Sequence, residues 1–225
     1  MNFLCHAIPY LDLEDPFVIA GTAVPDWLSV VDRKIRARRR RAELFLRDDD
    51  PKVGGVARGI VAHVHDDQWF HSTRAFAETN MMFAVQLRDL LPGDAGFRPT
   101  FVGHIVTEML LDGLWIEDDP AIADRYYQML GDVPSEQIQH ALNLITGKPT
   151  ENLAKVVDRF IEIRFLDDYL DNTKLLHRLN QVMNRVKLAP LPDSLLEWLV
   201  DARAFVRQRR PELLTPTDGV SPFRF

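Results

Sequence analysis

Apolar residues recur at three- and four-residue spacing along nearly the whole chain, and this periodicity restricts the fold more than any other feature. Residues 134–147 show it with its punctuation. Ser135 follows Pro134 near the start, Ile138, Ala141, Leu142 and Ile145 form one apolar face, and Gly147 closes the segment. Residues 149–166 repeat the scheme, with Thr150 placed to cap and Leu153, Val156, Val157, Phe160, Ile161 and Phe165 as the stripe. Two more helices are predicted at 172–188 and 191–209, separated by Pro190 and Pro192. In the last, Leu195, Leu196, Leu199, Ala202 and Val206 face inward. Upstream, helices are predicted at 27–47, 53–66, 71–91, 98–116 and 120–131, with loops at 48–55, 91–96 and 116–120. Strand alternation is scarce, and no Asn-Gly or Asp-Gly dipeptide joins two alternating runs. The pattern predicts one all-α domain over 1–225, a compact multi-helix bundle, with a weak subdivision near 131–134 as the alternative.

Composition narrows the class. Of 225 residues, 46% are hydrophobic and 27% charged, which excludes a disordered chain or a collagen-like repeat. Cys5 is the only cysteine, so no internal disulfide can form and a reducing compartment is expected. No apolar run reaches 18 residues, and the opening MNFLCHAIPYLDLEDP lacks a basic start and turns acidic. These features predict a soluble cytoplasmic protein with no membrane partner. A net charge of −6 argues against general nucleic-acid binding.

One segment opposes that charge. Residues 33–41 read RKIRARRRR, seven cations in nine positions. Such density repels itself, which a solvated surface tolerates and an acidic partner would relieve. No aromatic residue interleaves the run, so a base-stacking surface is not supported.

Histidine placement carries the chemical signal. Five of the seven histidines, His6, His63, His65, His71 and His104, fall in the first 104 residues. In GIVAHVHDDQWFH (59–71), His63 and Asp67 are four apart and share a helix face, where they could bite one cation; His65 and Asp66 diverge by about 100°. In FVGHIVTEMLLDGLW (101–115), His104, Glu108 and Asp112 make a polar stripe on an otherwise apolar helix. A buried carboxylate is costly unless paired or bound to metal. Imidazole with carboxylate suits Mn, Fe, Zn or, with more oxygens, Mg. An ordinary His–carboxylate hydrogen bond is the alternative for each pair. His140 and His177 lack such neighbours and read as structural. No P-loop, GxGxxG, paired CxxC or GxSxG motif is present.

The opening MNFLCH, then GTAVPDW (21–27), GIVAHVHDDQWF (59–70), and the helix ending Asp112-Gly-Leu-Trp115 resemble the acyl carrier protein phosphodiesterase family. Phe205–Leu213 (FVRQRRPEL) resembles that family's closing pattern. The resemblance implies an HD-domain-like, all-α fold. It also implies hydrolysis of the phosphodiester joining 4′-phosphopantetheine to a carrier serine, with a divalent metal, Mn²⁺ above Mg²⁺ or Fe²⁺. It carries over His6, Asp26, His63, Asp67, His104 and Glu108 as metal ligands around a common centre. His65, Asp66 or His71 would then relay a proton. His104 and Glu108 depart from the acidic residue and the aspartate found there in the family, His71 stands where an aspartate is common, and Pro25 precedes Asp26 as a further change. An acidic carrier protein would be the partner, docking on Arg36, Arg38, Arg39, Arg40 and Arg41. A phosphohydrolase of nucleotides or other small phosphates, and a non-catalytic helical binding protein, remain the other readings.

Overall fold

The structure is a computed structural model describing residues 1–91 and 96–216. In chain order the helices are α1 (Phe3–Ala7), α2 (Pro16–Val31), α3 (Arg39–Ala42), α4 (Pro51–Ser72), α5 (Arg74–Leu90), α6 (Pro99–Asp118), α7 (Pro120–Gly131), α8 (Ser135–Thr146), α9 (Leu153–Ile163), α10 (Asn172–Arg185) and α11 (Leu195–Leu213). Short 3₁₀ segments lie at Ile8–Leu13, Glu43–Phe45 and Phe165–Leu170. No strand occurs among the described residues, so the chain is an all-α, multi-helix protein. Among the described residues no helix is long and apolar enough to cross a membrane.

Chain contacts divide into two units. The first comprises Met1–Gln68 and Pro120–Phe165; the second comprises Trp69–Asp119 and the described chain from Leu166. The turn at 131–134 lies inside the first.

The first unit is organised around aromatic side chains. Phe160 packs on Phe3 (ring centroids 4.7 Å apart), Trp27 (5.4 Å) and Tyr127 (5.5 Å). Ile138, Ala141, Leu142 and Ile145 of α8 are all buried, as their spacing predicts, and Gly147 takes the left-handed cap (φ 64°). Asp15 caps α2, accepting from the backbone N–H groups of Phe17 and Val18, while its other oxygen accepts from Arg58 at 2.9 Å. In the second unit α5 packs along α6, and α11 lies against both. Trp198 meets Phe83 edge-on at 5.2 Å and donates its indole N–H to Gln86 Oε1 at 2.9 Å.

Four local expectations need correction. No helix spans 27–47: α2 ends at Val31, Ile35–Arg38 has no regular structure, and only Arg39, Arg40 and Arg41, in α3, are helical within the arginine run. Packed like charges at adjacent and i,i+4 positions disfavour a continuous helix there. Residues 51–55 of the expected 48–55 loop belong instead to α4, whose first turn Asp50 caps by accepting from the Lys52 N–H at 2.9 Å. Thr150 does not cap α9, which begins at Leu153; Asn143 accepts from the Thr150 N–H at 2.8 Å and donates to its carbonyl at 3.2 Å. Of the expected 91–96 loop, residues 92–95 lie outside the described residues, and the 116–120 loop shrinks to Asp119.

Candidate metal centres

Two groups of three possible ligands occur among the described residues: His6, His63 and Asp67, and His71, His104 and Glu108. Asp26, expected as a ligand, is in neither, and His71, expected to relay a proton, is in the second. In each, one ligand atom per residue lies within 4.8 Å of the others.

The first group depends on a close helix crossing. Where α2 meets α4, a Cβ on Gly59 would lie 2.6 Å from Gly21 Cα, and one on Gly21 would lie 2.9 Å from Gly59 Cα. Only glycine permits this approach of two backbones. The approach brings the ring of His63, one turn past Gly59, to Thr22, whose carbonyl accepts from His63 Nδ1 at 2.7 Å. Pro25 sits in the same stretch of α2 and lacks the N–H that Gly21's carbonyl would otherwise accept. With Nδ1–H committed, neutral His63 presents a bare Nε2, the arrangement in which a carbonyl orients a metal-ligating imidazole.

His6 reaches the same place from α1. Its ring stacks on that of His63, centroids 3.8 Å apart and 26° between planes. His6 Nε2 lies 3.3 Å from Asp67 Oδ1, and His63 Nε2 lies 3.5 Å from Asp67 Oδ2. Ligand atoms around a tetrahedral ion with bonds of about 2.1 Å stand about 3.4 Å apart, close to both separations. His6 Nε2 is also 3.1 Å from the Met1 carbonyl, and the Met1 nitrogen is 2.7 Å from Asp67 Oδ1. His6 Nδ1 is buried with no hydrogen-bond partner, a polar atom that an ion or water would satisfy.

The electrostatics separate the two imidazoles: His6 is held neutral, with a lone pair to offer, whereas the neighbouring carboxylates favour the protonated form of His63, whose proton a cation would displace. Burial, with the nearby His63, lowers the His6 pKa from 6.5 to about 3, so the imidazole is neutral. Burial acts the same way on His63, but the hydrogen bond to Asp67 and the charges of Asp26 and Asp67 reverse it and raise its pKa. Burial likewise opposes ionisation of Asp67. The Met1 amino group and the hydrogen bonds from His6 and His63 outweigh it and hold the carboxylate far below the usual range. Asp26 thus acts on this group through its charge, so four of the six carried-over ligands belong to one neighbourhood in the first unit.

The second group lies in the second unit. His104 and Glu108 are one turn apart on α6, and His71 comes from the end of α4. His71 Nε2 donates to Glu108 Oε1 at 2.8 Å, and His104 Nε2 lies 2.9 Å from the same oxygen. Phe76 packs against both rings, at 4.9 Å and 5.0 Å. Glu108 is buried, whereas the two imidazoles are each about one-third exposed. Burial favours the protonated acid, yet Glu108 is held well below its ordinary pKa, with the bonds from His104 and His71 among the causes.

Asp66 is fully buried. Its two oxygens accept from Tyr10 Oη at 2.9 Å and from His65 Nδ1 at 3.1 Å. His65 and Asp66 therefore bond to each other, although neighbouring positions on a helix diverge. His71, read from the sequence as a proton carrier, takes its place among the second group's imidazoles. Of the arginine run, Arg36, Arg38, Arg40 and Arg41 are exposed, and Arg39 pairs with Glu43 at 2.8 Å. Sequence reasoning missed Thr22, Tyr10 and the glycine crossing. The glycines were visible in GTAVPDW and GIVAHVHDDQWF; nothing in the sequence pointed to Tyr10. Compared with family models, curated proteins and solved structures, the chain finds no match in any of the three.

Proposed function

We propose that this chain is a metal-dependent phosphodiester hydrolase acting on a carrier protein bearing 4′-phosphopantetheine, with His6, Asp26, His63 and Asp67 holding the cation. The observation that carries this reading is the convergence of two buried imidazoles from separate helices on one ionised, one-third-exposed carboxylate. A divalent ion in such a donor set lowers the pKa of water toward neutrality and offsets charge on phosphoryl oxygens. The chain's own groups supply the rest. Thr22 fixes the His63 ring, and the low pKa of His6 keeps a lone pair available at neutral pH. His65, partly exposed and held by Asp66, is positioned to carry a proton to the departing serine oxygen. Exposed Arg36, Arg38, Arg40 and Arg41 offer a cationic face for an acidic carrier.

The test compares release of 4′-phosphopantetheine from holo-carrier protein with hydrolysis of bis-p-nitrophenyl phosphate, each with Mn²⁺ and with chelator. Metal-dependent release from the carrier, lost in Asp67→Asn, is the expected result. Cleavage of the generic ester alone would transfer the site to small phosphates. Absence of both activities, with no bound or stabilising metal, would overturn the hydrolase and leave a helical binding protein.

A further inference from the structure

We infer that His71, His104 and Glu108 form a second, self-contained binding site for a transition-metal dication of the zinc type, so that one chain takes up two ions. The claim concerns binding alone and does not need the hydrolase reading.

The donor set is two imidazoles and one carboxylate, a combination used by three-ligand zinc sites that keep a fourth position open. The set is richer in nitrogen than Mg²⁺ or Ca²⁺ prefers, and the affinity order for such donors rises toward the later first-row metals. Geometry concentrates the donors: both Nε2 atoms lie within 2.9 Å of one oxygen, Glu108 Oε1. Two imidazole nitrogens facing a single carboxylate oxygen mark the place a cation takes once each ring carries its proton on Nδ1 and turns the Nε2 lone pair inward.

The surroundings favour the same occupant. Phe76 packs edge-on to His104 and beside His71, and Phe70 lies 5.3 Å from His71, so the rings are held on their apolar side. Their one-third exposure leaves a solvent side through which an ion can enter and a water or small anion can fill a remaining position. Glu108 supplies the one carboxylate of the set from a buried position.

Zn²⁺ stoichiometry by calorimetry and the visible spectrum of the Co²⁺-loaded protein test this directly, using the full chain stripped with chelator. Wild type should bind two ions. His104→Ala and Glu108→Gln should each bind one, and the Co²⁺ band intensity should fall by about half. His63→Ala should also bind one, and the His63→Ala/Glu108→Gln double variant none. Millimolar Mg²⁺ should leave the ion lost in Glu108→Gln undisplaced in wild type. Helicity and thermal midpoint check folding; if His104→Ala does not fold, the near-isosteric Glu108→Gln and the one-third-exposed His71→Gln decide. Two ions retained in folded Glu108→Gln or His71→Gln would overturn the proposal. So would a single wild-type ion that disappears in His63→Ala. A wild type that binds two ions without cleaving any phosphodiester would remove the proposed function and leave this site standing.

Discussion

A buried imidazole that stays neutral makes folding sensitive to acid. His6 titrates near 3 in the folded protein and near 6.5 in the unfolded chain. Between those values the unfolded chain holds a proton that the folded one does not, so stability rises with pH by at most about 1.4 kcal/mol per unit. His63, whose folded pKa is raised, has the opposite sign: its contribution is full below 6.5 and is lost as pH rises through the folded value. In chelator, the urea midpoint should therefore fall steadily from pH 6.5 toward pH 4, and His6→Asn should flatten that slope. An unchanged slope in the variant would show that His6 is not the group responsible. Asp66 gives a second prediction. Its carboxylate is fully buried and takes one bond from Tyr10, so Tyr10→Phe should cost about 1–3 kcal/mol in denaturant unfolding. At this scale the sequence was legible where two groups stand one turn apart on a helix, as with His63 and Asp67 or His104 and Glu108, but not for the adjacent His65 and Asp66, which bond despite their divergent positions. It was illegible where partners come from distant segments, as Tyr10 does to Asp66. No periodicity encodes a contact across 56 residues.

Helices with a clean apolar stripe could be read almost to the residue. The α8 stripe and its Gly147 stop match the expected segment, and α7, α10 and α11 start within a few residues of theirs. Failure came where another force overrode the pattern. Crowded cations dissolved the expected helix through 33–41, and α4 began early because Pro51 and Asp50 made a good first turn out of a segment whose glycines looked like loop. The glycines of the α2–α4 crossing allow a test at the level of the element. Gly59→Ala should separate α2 from α4, lower the thermal midpoint by the equivalent of about 1–3 kcal/mol, and weaken metal binding through His63. Gly131→Ala, whose new methyl would meet nothing within 4 Å, should be neutral or slightly stabilising. Equal effects of the two substitutions would mean that the crossing is not what places the first group.

Charge acts at the scale of the molecule. The chain is net acidic, yet its densest charge is the cationic stretch 33–41, largely exposed. If an acidic carrier docks there, its affinity should drop steeply as salt rises, and Arg36→Glu, Arg38→Glu and Arg40→Glu together should abolish that dependence with the thermal midpoint unchanged. Affinity indifferent to ionic strength would dismiss the docking face. Metal should also register globally: saturating Mn²⁺ or Zn²⁺ at about a hundred times its dissociation constant should add about 2.7 kcal/mol per site to stability. The two units, finally, are each assembled from non-adjacent stretches, the polypeptide passing between them after Gln68, Asp119 and Phe165. A clone truncated after Asp119 takes α10 and α11 from the second unit and α7, α8 and α9 from the first at a single stroke. Deletion mapping with such a fragment would report inactivity and mislead whoever used it to locate the chemistry, whereas point substitution or co-expression of complementary pieces would not.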